Sequence, residues 1–439
     1  MLLSCPVRRF MAICLAGPLR LTQLSAPMRA LLDRSAYAAL LIGVLAQLLF
    51  SVNLARPTKP VFDEVHYVPA ARTLLALERP ANPEHPPLGK ELIAGSIAVF
   101  GDTPLGWRAA ATLAGTATVL GVFAILLLLL GSVRTASYGA LLATLNFTVY
   151  VHARIAMLEP FLGAFVVGGI AALLWAMRSP PKRVTPRWVL GSLLLGLATA
   201  VKWTAAPYVA FAAIGFVALR VRRSDLWAGL TIGKALALLG VVSLAGYFAT
   251  FLPYFFLRED PLTLAKLLPL QWDMYKLQTQ VLQAHPYQSG WLSWPFAIRP
   301  IWYLYEPVDG AVRGILYLGN PLVMWGGLVA VAWLGWHWWR TRVPVAGALA
   351  LLWAASLAIW AAIPKSLGFY YYYHLSGVFL CVAIPAAFHL HAGAKPSRAL
   401  FWFAVFAGAL FIRFLPILSA AALPNDQAFT QWMWLDSWR

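Results

Sequence analysis

Charged residues are scarce in this chain: only 11% of its 439 residues are Asp, Glu, Lys or Arg, whereas 61% are hydrophobic. Ordinary soluble domains carry about 25% charged and about 45–50% apolar residues. The composition excludes a soluble globular protein, because its interior would be too small to bury the apolar side chains. Cysteine is also rare, and Cys5, Cys14 and Cys381 lie far apart. This spacing excludes a disulfide framework or a zinc site as the organising feature.

Long apolar runs dominate the sequence instead. A helix needs about 20 mostly apolar residues to cross a bilayer, and eleven stretches have this character. They predict an all-α polytopic membrane protein with about 11 transmembrane helices. A single membrane domain, 35–421, would lie between a basic cytoplasmic tail, 1–34, and an outer C-terminal tail, 422–439. The stretches are near residues 35–53, 108–130, 138–151, 160–177, 189–200, 205–219, 228–256, 314–339, 344–363, 374–391 and 399–421.

The few charges are distributed unevenly between the two sides of the predicted membrane domain. With the N-terminus in the cytoplasm, the inner connections hold 17 Lys and Arg residues and two acidic residues. The outer connections hold 15 Lys and Arg residues and 14 acidic residues. Because Lys and Arg accumulate on the cytoplasmic side of membrane proteins, the net charge of +18 indicates topology and argues against a nucleic-acid partner. The two long connections, 54–107 and 257–313, are both outside, and we expect the active-site face there.

The first outer loop contains two adjacent acids, Asp63 and Glu64, directly after the first membrane helix. A short interfacial helix is predicted over 65–77, and the cations Lys90 and Arg108 follow. Adjacent acids in a loop are most often solvated. At membrane depth, however, an acid is costly unless it is paired or used, so these four residues are candidates for a site.

Further charges interrupt apolar sequence at the outer ends of later helices. Arg154 and Glu159 lie between the third and fourth predicted spans, and their spacing predicts an ion pair. Lys202 lies between the fifth and sixth, and Lys365 precedes an aromatic run, 369–373. Snorkelling of the charge to water is the alternative for these lysines, and the run itself predicts an interfacial aromatic belt. All these connections project to one face, where they can meet the acids of the first loop.

The second outer loop has the densest mixture of aromatic and hydrogen-bonding residues, spaced among prolines. A simple aromatic belt would not need this combination, which suits a sugar or lipid headgroup near the membrane interface. The candidates here are His285, Tyr287, Arg299, Trp302 and Tyr303.

These motifs resemble the protein O-mannosyltransferases, polytopic enzymes of the C-type glycosyltransferase fold. The matching blocks occur in family order between residue 62 and about residue 325. One block could match by chance, but all of them in order could not. They are Phe62-Asp63-Glu64-x-His66, His85-Pro86-Pro87-Leu88-Gly89-Lys90, Arg154-Ile155-x-x-Leu158-Glu159-Pro160, Val201-Lys202-Trp203, the stretch 285–305, and Leu318-Gly319-Asn320-Pro321.

The resemblance implies an inverting transfer of mannose from a polyprenyl (dolichyl-type) monophosphate to Ser or Thr hydroxyls of exported proteins. Such a transfer needs one general base and cations that hold the leaving phosphate. It implies Asp63 as the base, with Glu64 orienting the acceptor or a neighbouring cation. The implied phosphate contacts are Lys90, Arg108, Lys202 and Arg299, followed by Arg154 and Lys365. The other implied substrate-binding residues are His85 (positioning), Glu159 (paired with Arg154), His285, and the stacking rings of Tyr287, Trp302 and Tyr303.

Three departures from the family pattern accompany the match. Family members usually carry Asp where Glu159 stands, and bacterial members carry His where Gln278 stands. The segment Gly290-Trp291-Leu292 replaces a frequent Pro-Trp. The loop 257–313 is too short for the lumenal sugar-binding-like insertion of eukaryotic enzymes, which indicates a bacterial-type member.

Two other functions remain open at this point. One is transfer of another sugar from a polyprenyl phosphate onto a lipid or glycan; the other is transport, although no inverted repeat of the kind found in transporters is evident. The expected partners are a polyprenyl-phosphate-linked sugar donor, secreted or membrane protein acceptors and the lipid bilayer, with the secretion translocon as a further candidate. We expect a multi-pass protein of the inner (cytoplasmic) membrane with its active site on the periplasmic or extracellular face. No cofactor is assigned, and a divalent metal is left open.

Overall fold

The computed structural model describes residues 26–393 and 395–439, with side chains from residue 34 onward. Most of the predicted tail 1–34 therefore lies outside the described residues. Helices dominate the rest. They are α1 (Ala26–Ser51), α2 (Glu64–Leu75), α3 (Leu88–Phe100), α4 (Pro104–Leu130), α5 (Val133–Thr144), α6 (Phe147–His152), α7 (Glu159–Met177), α8 (Pro181–Val201), α9 (Ala206–Arg222), α10 (Ile232–Ala249), α11 (Leu264–Thr279), α12 (Pro321–Thr341), α13 (Pro344–Ala358), α14 (His374–His391) and α15 (Arg398–Leu418).

Within the described residues, nine helical segments are long and apolar enough to cross a membrane. The fold is thus a mostly helical, multi-pass membrane fold as predicted, while the count of eleven spans stays a prediction. The helix α2 confirms the short helix expected in the first outer loop, and α11 is a second such helix in the loop 257–313.

Two predicted spans differ in the structure. The stretch 138–151 is divided between α5 and α6, because the side chain of Asn146 accepts a hydrogen bond from the Thr148 N–H and so starts a new helix. Residues 314–317 belong to a strand, and the helix α12 begins only at Pro321. The prediction of continuous helices over 138–151 and 314–339 is therefore wrong in these parts.

The structure also contains a small antiparallel sheet that the all-α prediction omits. Its strands are β1 (Ile301–Val308), β2 (Ala311–Tyr317) and β3 (Ala422–Leu423), in the order β1-β2-β3. The first two join through Asp309 and Gly310, which both have positive φ. Such a two-residue Asp-Gly turn favours a hairpin. The sheet therefore ties the predicted C-terminal tail, through β3, to the second outer loop.

Close packing joins the middle parts of α7 and α8. Gly169 on α7 and Gly191 on α8 leave so little space that an added Cβ on either would lie 3.3 Å or less from the other residue's carbonyl oxygen. Small residues of this kind let membrane helices approach backbone to backbone. The helices α8 and α10 also pack closely, at Gly196 and Ser243. There the Ser243 hydroxyl donates to the Ser192 carbonyl at 2.8 Å. The residues at the ends of α7 and α8 are thereby held in fixed positions.

Candidate active site

A buried ion pair anchors the first outer loop to the membrane helices. Arg108, near the start of α4, donates through Nε and Nη2 to the two carboxylate oxygens of Glu64, each at 2.8 Å, and both side chains are fully buried. Glu64 also accepts from the backbone N–H groups of Val61 and Ala156. The other Arg108 contacts are the carbonyls of Leu54, Pro57 and Lys59. The pair thus fastens the segment before α2 to α4 and to the connection before α7.

Asp63 directly precedes this pair and is partly buried. The hydroxyl of Tyr67, one turn along α2, hydrogen-bonds to its carboxylate. Burial and the nearby Glu159 carboxylate raise the pKa of Asp63 from 3.8 to about 6, although Lys202 and His66 act in the opposite direction. A general base works best when its pKa is near the ambient pH. The environment of Asp63 is therefore suited to accepting a proton.

A second buried ion pair joins the outer ends of α7 and α8. Lys202 Nζ lies 2.6 Å from Glu159 Oε1, whereas Glu159 Oε2 has no hydrogen-bond partner among the described residues. The predicted pair between Arg154 and Glu159 is wrong. Arg154 donates instead to the carbonyls of Phe50 and Val52, at 2.8 and 2.6 Å, because it faces the open end of α1 while Glu159 begins α7 beside Lys202.

Tyrosine rings surround the Lys202 ammonium group. The ring centroids of Tyr371 and Tyr372 lie 5.1 and 5.3 Å from Nζ, within the range of cation–π attraction. Tyr370, Tyr371 and Tyr373 are buried in the protein. The prediction of an interfacial belt for this run is wrong, because the buried cation provides an internal partner for the rings.

A chain of buried polar rings lies beneath Asp63 and Lys202. The Tyr303 hydroxyl is 2.9 Å from His152 Nε2, and His152 Nδ1 is 3.2 Å from His374 Nδ1. Tyr303 also stacks on Phe62, with centroids 4.0 Å apart. Tyr303 is thus packed into the floor of the site, where it presents no open ring face to a sugar.

The buried cation of the first loop, Lys90, is fully engaged by backbone. Its Nζ donates to the carbonyls of Asn82 and His85 at 2.5 and 2.8 Å, and to that of Ala81 at 3.3 Å. Burial lowers the pKa of Lys90 from 10.5 to about 7, although Glu84 and Glu91 oppose this. Lys90 therefore shapes the loop before α3.

Lys365 and His85 meet through a residue on α11. The Lys365 ammonium donates to Gln278 Oε1, and Gln278 Nε2 donates to the Glu84 carbonyl and lies 3.2 Å from His85 Nδ1. Burial and Lys202 lower the pKa of Lys365 from 10.5 to about 8. The sequence marked Gln278 only as a departure from the family pattern, and the structure places it between two candidate site residues.

Apart from Tyr303, the candidates of the second outer loop form a separate group. Arg299 donates to the carbonyls of Pro286, Ser437 and Arg439, and its guanidinium lies over the Tyr287 ring at 5.4 Å. The Trp302 N–H donates to the Trp438 carbonyl at 3.3 Å, so Trp302 faces the C-terminal segment. His285 is exposed and touches the site only indirectly, with its ring edge-on to Phe369.

Two spaces open beside the charged groups. A cavity of about 210 Å³ is lined by His85 and by α11, and a pocket of about 20 Å³ is lined by Glu159, Lys202 and His374. Among the described residues, no group of three or more His, Cys, Asp and Glu side chains is placed to hold a metal ion. The arrangement offers one carboxylate poised to take a proton, that of Asp63, with the Lys202 ammonium group near it. A second ammonium group, that of Lys365, is close enough to Lys202 to lower its own pKa.

Two family models match successive parts of the chain. The model for dolichyl-phosphate-mannose-protein mannosyltransferase matches residues 40–257, and that for the C-terminal four-TMM region of protein-O-mannosyltransferase matches residues 263–438. Together they cover most of the sequence. The chain is also 27% identical to the polyprenol-phosphate-mannose–protein mannosyltransferases of Mycolicibacterium smegmatis (strain MKD8) and Mycobacterium tuberculosis (strain H37Rv), over 91% of its own length and 92% and 91% of theirs.

Solved structures with the same fold include two membrane enzymes. The Saccharomyces cerevisiae protein O-mannosyltransferase Pmt1–Pmt2 complex bound to the sugar donor matches with a TM-score of 0.76 and 12% identity, over 98% of this chain and 94% of that one. ArnT from Cupriavidus metallidurans bound to undecaprenyl phosphate matches with a TM-score of 0.57 and 16% identity, over 84% of this chain and 62% of that one. These likenesses confirm the C-type glycosyltransferase fold predicted from the sequence.

Proposed function

The chain belongs to the protein O-mannosyltransferase family and is a glycosyltransferase that transfers mannose from a polyprenyl-phosphate donor to proteins, and we propose that its acceptors are Ser and Thr hydroxyls. Asp63 takes the hydroxyl proton as the acceptor oxygen attacks the anomeric carbon. The bond from that carbon to the phosphate oxygen breaks, its electron pair stays with the phosphate, and the configuration inverts. The protein supplies one base and no acid, because phosphate leaves as an anion.

The observation that carries this proposal is the environment of Asp63. Its carboxylate is partly buried beside Glu159 and Lys202, and its pKa of about 6 suits a base at neutral pH. If Asp63 were a solvated loop residue, it would have no such buried charged neighbours. Lys202, held by Glu159 and the rings of Tyr371 and Tyr372, is a fixed positive charge that stabilises the leaving phosphate.

The other cations differ in how many hydrogen-bond acceptors they already contact. Among the described residues, the Lys365 side chain has one hydrogen bond, to Gln278, and Lys365 remains a candidate for the donor phosphate. Arg108, Arg154 and Lys90 donate to Glu64 or to backbone carbonyls in a buried setting. We assign these three to positioning the first outer loop, because each donates to at least three acceptors, whereas Lys202 has one acceptor, Glu159, among the described residues.

The protein is a multi-pass membrane protein, and its charge distribution supports a finer placement. We assign the N-terminus to the cytoplasm, the site to the periplasmic or extracellular side of the inner membrane, and 35–421 to a single transferase domain. Protein acceptors that are exported would meet the site as they cross the membrane, which makes the secretion translocon a candidate partner.

The test is a transfer assay in membranes that contain the protein. Polyprenyl-phosphate-mannose is supplied with a Ser/Thr-rich peptide, and mass spectrometry measures the addition of one hexose to the peptide. A matched peptide with Ala at every Ser and Thr should stay unmodified. Hexose on glycolipid with none on the peptide would contradict the proposed acceptor and favour transfer to a lipid or glycan.

A further inference from the structure

The amide group of Gln278 joins three segments of the outer face. Its Oε1 accepts a hydrogen bond from Lys365, in the connection before α14. Its Nε2 donates to the Glu84 carbonyl and lies 3.2 Å from Nδ1 of His85, both in the first outer loop. Neither the Asp63 environment nor the two buried ion pairs involves Gln278.

The neighbours of Gln278 determine which atom of its amide faces which segment. The Lys365 ammonium can only donate, and the Glu84 carbonyl can only accept. Both requirements are met by the same orientation, with Oε1 toward Lys365 and Nε2 toward Glu84. The Nε2 group that faces His85 is therefore a donor.

This orientation determines the protonation of the His85 ring. Since Nδ1 receives a hydrogen bond, it carries no proton, and a neutral imidazole then carries its proton on Nε2. Burial and the cations Lys202, Lys90 and Lys365 hold the pKa of His85 well below its usual range, which keeps the ring neutral. His85 thus has one N–H donor, at Nε2, for which no partner exists among the described residues.

His85 lines the cavity of about 210 Å³ between the first outer loop and α11. Most of the cavity wall is apolar, so a ligand that fills it needs an apolar part. The two carboxylates that also line it, Asp260 and Asp273, are paired with Lys266 and Lys276. A hydrogen-bond donor at its edge suits an anionic head. The apolar lining residues are Phe251, Tyr254, Leu257, Leu262, Leu270 and Met274.

We propose that Gln278 is a positioning residue that holds His85 in its Nε2-protonated form, so that His85 donates a hydrogen bond to the phosphate of the lipid-linked sugar while the first part of the lipid chain enters the cavity. This inference rests on the proposed function and specifies how the donor is held. Lys365, bound to the same amide, lies on the other side of Gln278 and is placed to share the phosphate charge.

The test variant is Gln278→Glu. A carboxylate still accepts from Lys365 but offers His85 Nδ1 only an acceptor, so the ring proton moves to Nδ1 and Nε2 loses its donor. The KM for polyprenyl-phosphate-mannose should rise about tenfold to a hundredfold, as expected for a lost hydrogen bond to a charged group, with the peptide KM unchanged. The matched control is Gln280→Glu, which makes the same charge change at an exposed position two residues on and should keep the wild-type donor KM.

Two readouts separate positioning from a general structural role. In [15N]His-labelled protein in membranes, the His85 proton should be on Nε2 in the wild type and on Nδ1 in Gln278→Glu, whether or not the enzyme turns over. In a His85→Ala background, Gln278→Glu should cause no further rise in donor KM, because the effect passes through His85.

The experiments distinguish a failure of the proposed role of Gln278 from a failure of the proposed function. If the wild type modifies the peptide but Gln278→Glu keeps its donor KM or its Nε2–H, the role of Gln278 is refuted and mannosyl transfer stands. An equal rise in donor and peptide KM would also refute it, as a distortion of the whole site. If the wild type does not modify the peptide, the proposed function fails, and the labelled spectrum still decides the state of His85.

Discussion

The raised pKa of Asp63 predicts how the transfer rate depends on pH. The carboxylate must be deprotonated to act as a base, so the rate should rise with pH through about 6. With that pKa, about a tenth of the enzyme is active at pH 5, about half at pH 6 and about nine tenths at pH 7. The rate should therefore fall about tenfold between pH 7 and pH 5.

The assay measures single-turnover transfer to a Ser/Thr peptide without titratable side chains, between pH 4.5 and 8. The donor is a phosphodiester, which has no second ionisation in this range, so the substrates do not make the rate depend on pH. The rise in rate through about pH 6, called the acidic limb of the pH–rate profile below, then comes from the enzyme. His66 lies near Asp63, and its charge lowers the pKa of that carboxyl group. Lys90 and Lys365, with pKa values of about 7 and 8, lose their protons only on the alkaline side of this rise. In His66→Gln the limb should remain and move slightly upward, because a positive charge that lowers the Asp63 pKa is gone.

A limb near pH 4, as for a solvated carboxylate, would refute the argument that burial tunes Asp63. Loss of the limb in His66→Gln would show that the limb does not arise from Asp63. A rate that does not change between pH 5 and 7 would show that no proton is taken up by a group of this pKa in the transfer step.

Two further predictions concern the buried ion pairs. Glu64→Gln should lower the free energy of unfolding by about 3–5 kcal/mol, because the Arg108 guanidinium stays buried without its counter-charge. Asp225→Asn, in the exposed pair with Arg223, should change it by less than about 1 kcal/mol in the same unfolding assay; equal losses would contradict the role of Glu64. Lys202→Met should lower both stability and transfer, and adding Glu159→Gln should restore stability but not transfer. Recovery of transfer in this double variant would show that the Lys202 charge is not needed.

Hydropathy predicted most of the membrane helices because each is a long apolar run that lipid alone can stabilise. It missed the places where a local hydrogen bond or turn decides the backbone. Asn146 starts a new helix inside an apolar run, and Asp309-Gly310 makes a hairpin turn before the twelfth helix. Both signals are present in the sequence, but the apolar residues around them outweighed them.

The candidate site was predictable as a set of residues but not as a set of pairs. Asp63, Glu159 and Lys202 each stand out as a charge in apolar surroundings. Which partners they find depends on how α7 and α8 are rotated against each other, and no local pattern encodes that rotation. Arg154 therefore seemed the natural partner of Glu159 by distance along the chain, whereas the structure pairs Glu159 with Lys202.

The polar partners from distant segments were the least predictable part. Gln278 and the tyrosines before α14 have ordinary interpretations by themselves, as a helix residue and an aromatic belt. Their roles arise only when three segments meet around His85, Lys365 and Lys202.

The most direct test compares Asp63→Asn with Asp102→Asn in the peptide transfer assay. Both variants remove one carboxylate charge from the first outer loop, but Asp102 is exposed and paired with Arg72 at the surface. With both proteins inserted at wild-type levels, Asp63→Asn should lose about 10²- to 10⁴-fold in rate, as expected when a general base is removed, and Asp102→Asn should stay within about twofold of the wild type. Near-normal transfer by Asp63→Asn would contradict the assignment of this carboxylate as the base.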